Sequence, residues 1–272
     1  MSTPLHIAIN HGYYDAMILL LQLGADPNKK DRLGFEAIHL AAIRGYTLMI
    51  EELLRYGVSI NAKVELDPNE PISLDYDIDL DHDTPLHLAV LNGHTKLVKR
   101  LIHHGANINI CNFRQITPLH VAIHEKLEEI IRLLLEHGAN IHKKGLTTYG
   151  GEVSSPLAWA IRDNTDSMHM VRILLQYRKT KRDVRNAVIL AVRYGNVDVC
   201  KYLLDTKKAN ANTIDKSGRT LLHNAVIQHD ISCDMIKLLI SKGANKHAKN
   251  SEGKVPIQLL CDDRHHAKSL LA

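Results

Sequence analysis

Residues 84–109 read "TPLHLAVLNGHTKLVKRLIHHGANIN", two apolar patterns separated by a glycine. Leu86, Ala89 and Val90 share one helical face in the first, as do Leu97, Val98, Leu101 and Ile102 in the second. Thr84 carries the hydroxyl that an N-cap uses, and Pro85 fits the first helical turn, where its missing N–H costs nothing. Gly93 breaks the chain between the helices, and Gly105 stands where a C-terminal stop needs a left-handed residue. The polar "ANINICNFRQ" that follows predicts an extended finger.

The same unit recurs along the chain. "TPLHIA" begins at Thr3 and "TPLHVA" at Thr117; degenerate copies begin at Glu36, Ser155, Asn186, Thr220 and Val255. The steps between starts are 33, 48, 33, 38, 31, 34 and 35, and a closing motif repeats as "LLQLGADPN", "LIHHGANIN", "LLEHGANIH" and "LISKGANKH". Eight registered copies of two linked motifs resemble the ankyrin repeat, a unit of about 33 residues with a T-P-L-H-x-A signature. The resemblance covers essentially the whole chain. It implies an all-α fold, an α-solenoid of stacked helix-turn-helix units with protruding hairpin-like fingers, as a single array over residues 1–272. One helix pair cannot bury both apolar faces, so neighbours must stack.

The totals agree with that reading. Of 272 residues, 45% are hydrophobic but only 4% aromatic, so the core is aliphatic. No apolar run approaches the ~18 residues of a membrane span, and "MSTPLHIAINHGYY" has no basic stretch before an apolar core, as a secretory signal would. Cys111, Cys200, Cys233 and Cys261 lie far apart with no C-x-x-C pair, which suits buried thiols in a reducing compartment. Residues 64–83 carry eight acids and no Lys or Arg; the net charge is +4, so their −8 leaves the other 252 residues at +12.

The irregular steps mark insertions and a deletion. The step of 48 places fifteen extra residues in the finger joining copies two and three, around "DYDIDLDHD" (75–83). A calcium loop would need glycine at its sixth position and glutamate at its twelfth; both registers place leucine or histidine there. The ladder Asp75, Asp77, Asp79, Asp81, Asp83 is then a solvated bristle, a partner contact or a loose cation site. "KKGLTTYGGEVS" lengthens another finger by five residues, as a glycine-rich turn without the Lys-Ser/Thr of a phosphate loop. "QYRKTKRDVRN" has no Gly-Ala-Asn finger and is read as a basic connector, with an acidic protein, a targeting receptor or nucleic acid as other takers. The last copy, with Arg264, His265, His266 and Lys268, is expected to act as a polar cap; the abrupt start fits a fragment of something longer.

Eighteen histidines raise a metal hypothesis, of which His120 and His124, one helical turn apart beside Glu125, have the best spacing. His120, like His6, His39, His87 and His223, is a T-P-L-H histidine, and the resemblance implies a structural bridge to the neighbouring repeat. No nucleophile elbow, H-E-x-x-H or Rossmann glycine pattern occurs, and no catalysis, metal or cofactor is expected. Ankyrin fingers are known as substrates of an asparaginyl hydroxylase that favours a leucine eight residues before its target. Asn28, Asn61 and Asn109 match, although that leucine is also the repeat's core residue.

Ankyrin arrays bind proteins through a concave surface of finger tips and first helices. Projected onto this chain, the family's variable positions give Arg32, Leu33, Phe35, Arg44, Asn92, Phe113, Arg114, Ile116, Glu125, Arg162, Arg193, Tyr194, Lys216 and Arg219. Phe35, Phe113 and Tyr194 are the expected aromatic anchors. The resemblance implies a monomeric adaptor or scaffold inside the cell, cytoplasmic with a nuclear location left open. The alternatives are a regulatory or targeting segment of a larger enzyme, and a host-directed effector of an intracellular bacterium or virus. Nucleic acid is a poor partner, because the basic excess is dispersed.

Overall fold

The computed structural model describes residues 2–65, 81–146, 153–162, 167–177, 180–206, 209–228, 233–260 and 265–271. The chain falls into two compact units, 1–156 and 157–272.

The first unit holds four helix pairs: α1 (Pro4–Asn10) with α2 (Tyr14–Gln22), α3 (Ala37–Arg44) with α4 (Thr47–Arg55), α5 (Pro85–Leu91) with α6 (Thr95–His103), and α7 (Pro118–His124) with α8 (Glu128–Glu136). First helices pack on first helices (α1 on α3, α3 on α5, α5 on α7), and second helices do likewise. The α5 helix lies between α3 and α7, and its residues Pro85–Val90 are all buried. Alanines at the contact (Ala41, Ala89 and Ala122, each 0% exposed) let the backbones approach closely. On α6 only one face is inside, Leu97, Val98 and Leu101, while Lys96, Lys99 and Arg100 face solvent. Two short antiparallel strands, β1 (Gly145–Leu146) and β2 (Val153–Ser154), begin the finger after α8; the glycine-rich turn between them lies outside the described residues.

The second unit holds α9 (Pro156–Arg162) with α10 (Ser167–Tyr177), α11 (Lys181–Arg193) with α12 (Val197–Asp205), and α13 (Leu221–Ile227) with α14 (Cys233–Ser241). It ends with a single 3₁₀ turn (Pro256–Leu259) followed by α15 (His265–Leu271). Both units have the helix-on-helix stacking of an all-α solenoid fold. No helix among the described residues is long and apolar enough to cross a membrane.

Two expectations need correction. The sixth first helix starts at Lys181, not near Asn186. Thr180 caps it by accepting from the Asp183 N–H at 3.2 Å, and the Asp183 carboxylate accepts in return from the Thr180 N–H at 3.2 Å. Thr84, in turn, does not cap a backbone amide; its hydroxyl faces His87 Nδ1 at 3.0 Å, as that of Thr117 faces His120.

Candidate protein-binding surface

The T-P-L-H histidines set the spacing of the repeats. Each Nε2 donates to a backbone carbonyl at the base of the next finger: His6 to Phe35 at 3.0 Å, His39 to Ala62 at 3.0 Å, His87 to Ile116 at 3.1 Å, His120 to Ser154 at 3.3 Å, and His223 to Lys254 at 2.9 Å. A carbonyl only accepts, so Nε2 carries the proton and Nδ1 is the acceptor, facing the N–H of the cap residue. Burial then drives the pKa of His39, His87 and His120 down to about 4. With both nitrogens used, His120 has no lone pair for a metal, and His124 Nδ1 lies 2.9 Å from Glu125 Oε1.

A second ladder runs through the turns between paired helices. His94 Nε2 donates to the Ile43 carbonyl at 2.8 Å, and the ring lies so close to Gly45 (φ +74°) that a Cβ there would come within 2.8 Å. Asn196 Nδ2 donates likewise to the Ile161 carbonyl at 2.9 Å in the second unit. Sequence reading missed both, because a turn residue's partner depends on how neighbours stack. Along the fingers a third ladder links Asn61, Asn109 and Asn212, whose side-chain oxygens accept the amides of Asn107, Asn140 and Asn245.

These ladders hold the finger tips in place. A regular tip is a tight turn closed by two bonds: Asp31 N–H to the Phe35 carbonyl and Gly34 N–H to the Asp31 carbonyl, with Gly34 at φ +82°. The tips at 112–116, 215–219 and 250–254 repeat both bonds. Two tips place a side chain at the left-handed position, His82 (φ +62°) and Gln115 (φ +60°). A non-glycine residue there costs on the order of 1 kcal/mol. Both strained residues line one cleft of about 580 Å³, with Lys63, Lys143, Asn112 and Phe113.

Phe113 is 60% exposed, held by its N–H to the Asp81 carbonyl and by edge-on contact with the His82 ring, centroids 5.9 Å apart. The two tips are pinned beneath it by Asn112 Nδ2, which donates to Asp83 Oδ1 at 3.0 Å; both residues are buried. Asp83 is thus a structural strut and not part of an anionic bristle. Asp81 is half-buried, and Asp75, Asp77 and Asp79 lie outside the described residues.

The other expected contacts sort by burial. Phe35 (3%) and Ile116 (2%) are inside, leaving the row of surface anchors; each offers only its carbonyl, to a histidine below. Arg32 is exposed and Leu33 half-buried on the first tip. Arg44 is exposed and bonded to Asn10 Oδ1, Asn92 donates back to the Leu88 carbonyl, and Glu125 sits against His124. Arg114 is half-buried behind Phe113. In the second unit Arg193 and Lys216 are exposed, and Arg162, Tyr194 and Arg219 half-buried. Among the described residues no three His, Cys, Asp or Glu side chains converge as a metal site.

The family model for ankyrin repeats matches residues 1–64, 66–145 and 157–250. A Rickettsia bellii protein described as an ankyrin repeat protein is 43% identical over 65 residues, 24% of this chain and 27% of its own length. Human protein phosphatase 1 regulatory subunit 27 is 32% identical over 72 residues, 26% of this chain and 46% of its own. The chain thus spans about a quarter and just under half of these two relatives. The crystal structure of the human ASB11 ankyrin repeat domain superposes with a TM-score of 0.59 at 24% identity, covering 86% of this chain and 95% of that one, a likeness of fold alone.

Proposed function

The chain belongs to the ankyrin repeat family, whose repeats are protein–protein interaction modules on a non-catalytic fold, and on that premise we propose that it is an intracellular, monomeric adaptor that holds a partner protein on its finger tips. The observation that carries this reading is Phe113. It is a large aromatic, 60% exposed in a chain poor in aromatics, set at a cleft flanked by Lys63 and Lys143 and built on two strained turns. Exposed aromatics beside cations, on a scaffold that fixes their backbone, have the make-up of binding hot spots. The aspartates of residues 75–81, which the chain carries into the neighbouring finger, would steer a basic partner towards it.

The test is affinity capture with the intact chain against the double variant Phe113→Ala/Arg114→Ala. The wild type retains a partner, and the variant weakens it by about 2 kcal/mol or more while keeping its helical circular dichroism. Equal capture by both moves the contact elsewhere; loss of helicity makes Phe113 a core residue.

The match in Rickettsia bellii favours a second reading, a host-directed effector. It predicts that a host protein, and none from the source organism, is the one whose capture depends on Phe113.

A further inference from the structure

The sixth repeat has no Gly-Ala-Asn finger before its first helix. Other first helices run seven or eight residues, and those after α1 begin after a finger. Here α11 begins four positions after α10's last residue, Tyr177, with only Arg178, Lys179 and the cap Thr180 between them, and runs 13 residues. Its extra N-terminal turns bring Lys181, Arg182, Arg185 and Ile189 onto one side, at helical spacing. That side faces Ile214, Asp215 and Lys216 of the next finger across a cleft of about 430 Å³. The two walls are tied by Arg185, whose Nη2 and Nε donate to the Ile214 carbonyl at 2.7 and 3.2 Å.

The charge in this cleft is not compensated from within. Lys181, Arg182 and Lys216 are exposed and have no ion-pair or hydrogen-bond partner among the described residues. The two carboxylates nearest in sequence are engaged elsewhere. Asp183 is 2% exposed and closed onto Thr180, whose hydroxyl donates to it at 2.6 Å. Asp215 accepts from Ser217 N–H, Arg219 N–H and the Asn224 amide. Burial works against its charge, but those bonds outweigh it and keep its pKa below the usual value. Between the cations the cleft is apolar, with Ile214 47% exposed beside the buried Ile189.

We propose that this cleft binds an extended acidic peptide of a partner protein in which carboxylates alternate with aliphatic side chains. The carboxylates meet Lys181, Arg182 and Lys216, and an aliphatic side chain covers Ile214. Successive side chains of an extended strand point to opposite sides, which matches one charged and one apolar row. A nucleic acid fits less well: the lining has no aromatic ring on which a base could stack, and a phosphate would leave Ile214 bare. The inference shares with the adaptor reading only the premise that the chain binds protein; it concerns a separate site.

The probe is a short fluorescein-labelled peptide of alternating glutamate and leucine, titrated into the full chain by fluorescence anisotropy at two ionic strengths. Binding is expected and weakens with salt. Arg182→Glu/Lys216→Glu lowers affinity at least about tenfold, and Ile214→Ser about fivefold; both positions are exposed, and unchanged melting confirms the fold. Phe113→Ala/Arg114→Ala binds the peptide as the wild type does. The proposal is overturned by absence of peptide binding, by equal affinity in the charge-reversed variant, by equal affinity for a glutamine-for-glutamate peptide, or by an oligothymidylate that displaces the peptide at matched concentration. A partner captured through Phe113 together with a silent peptide titration sinks this inference and leaves the adaptor reading standing.

Discussion

His87 uses both ring nitrogens inside the protein, Nε2 on the Ile116 carbonyl and Nδ1 towards Thr84, so a proton arriving at Nδ1 meets a donor already there. His39 and His120 share that arrangement, and burial holds all three at about 4. In the unfolded chain they protonate near 6.5. Between the two values the unfolded state takes up protons that the folded state refuses. Stability is therefore full above pH 6.5, falls as pH drops towards 4, and loses nothing further from these groups below that. Each is worth up to about 3 kcal/mol. Thermal melts from pH 7 to pH 4 are expected to show a steep fall in Tm, and His87→Gln, which has an amide in place of the imidazole, is expected to flatten it. A Tm independent of pH across that window would contradict the neutral tautomer. The T-P-L-H histidines were legible because their spacing is in the string of letters. His94 and Asn196 were not, since nothing in "NGHTK" or "YGNVD" tells which carbonyl the side chain meets before the helices stack.

At the scale of an element, the acidic finger is a regular tip with its turn opened. Val64 N–H donates to the Asp83 carbonyl and His82 N–H to the Val64 carbonyl, both at 2.9 Å, the same two bonds that close the tip at Asp31–Phe35. The step of 48 predicted fifteen surplus residues; 66–80, which lie between Glu65 and Asp81, number fifteen. Joining Glu65 to Asp81 leaves Val64-Glu65-Asp81-His82-Asp83, a tip of ordinary length with its left-handed residue in place. Deletion of 66–80 is expected to change stability by about 1 kcal/mol or less, since loop entropy varies slowly with length. It is also expected to slow partner association, most at low salt, with a smaller change in dissociation. Urea melts and association rates at two ionic strengths check the two halves separately. The start of the sixth first helix is hidden in the sequence for a physical reason. Thr180-x-x-Asp183 forms a capping box, but it lies within a run of five cations in eight residues that carries no apolar period, and the absent Gly-Ala-Asn finger removes the frame that places a helix start.

Among the described residues, the main helix contacts within each unit join the two helices of one repeat or the helices of adjacent repeats, so stability is a sum of local terms joined through nearest neighbours. Leu101, 0% exposed on α6, is expected to cost about 2–5 kcal/mol on conversion to Ala. That loss falls in the first unit, while the chain's single tryptophan, Trp159, is buried in the second. Urea unfolding of Leu101→Ala is expected to shift the midpoint seen by circular dichroism more than the midpoint seen by Trp159 emission. Coincident, equally shifted curves would instead show one cooperative block. The fold class was legible throughout, because periodicity needs no knowledge of contacts. The candidate surface was legible only in part: Phe113 stood out as a rare aromatic and is exposed, but Phe35 carries the same letter and lies inside, and no sequence pattern separates the two.

A hairpin whose hydrogen bonds close below its tip can be cut open at the tip without disturbing what lies beneath. Residues 66–80 mark such an opening in this chain, bounded on each side by a bond that a regular finger also makes. Protein engineers look for sites of this kind: an epitope, a fluorescent sensor strand or a recognition peptide spliced between Glu65 and Asp81 would be displayed next to Phe113 on a backbone already shaped to hold it.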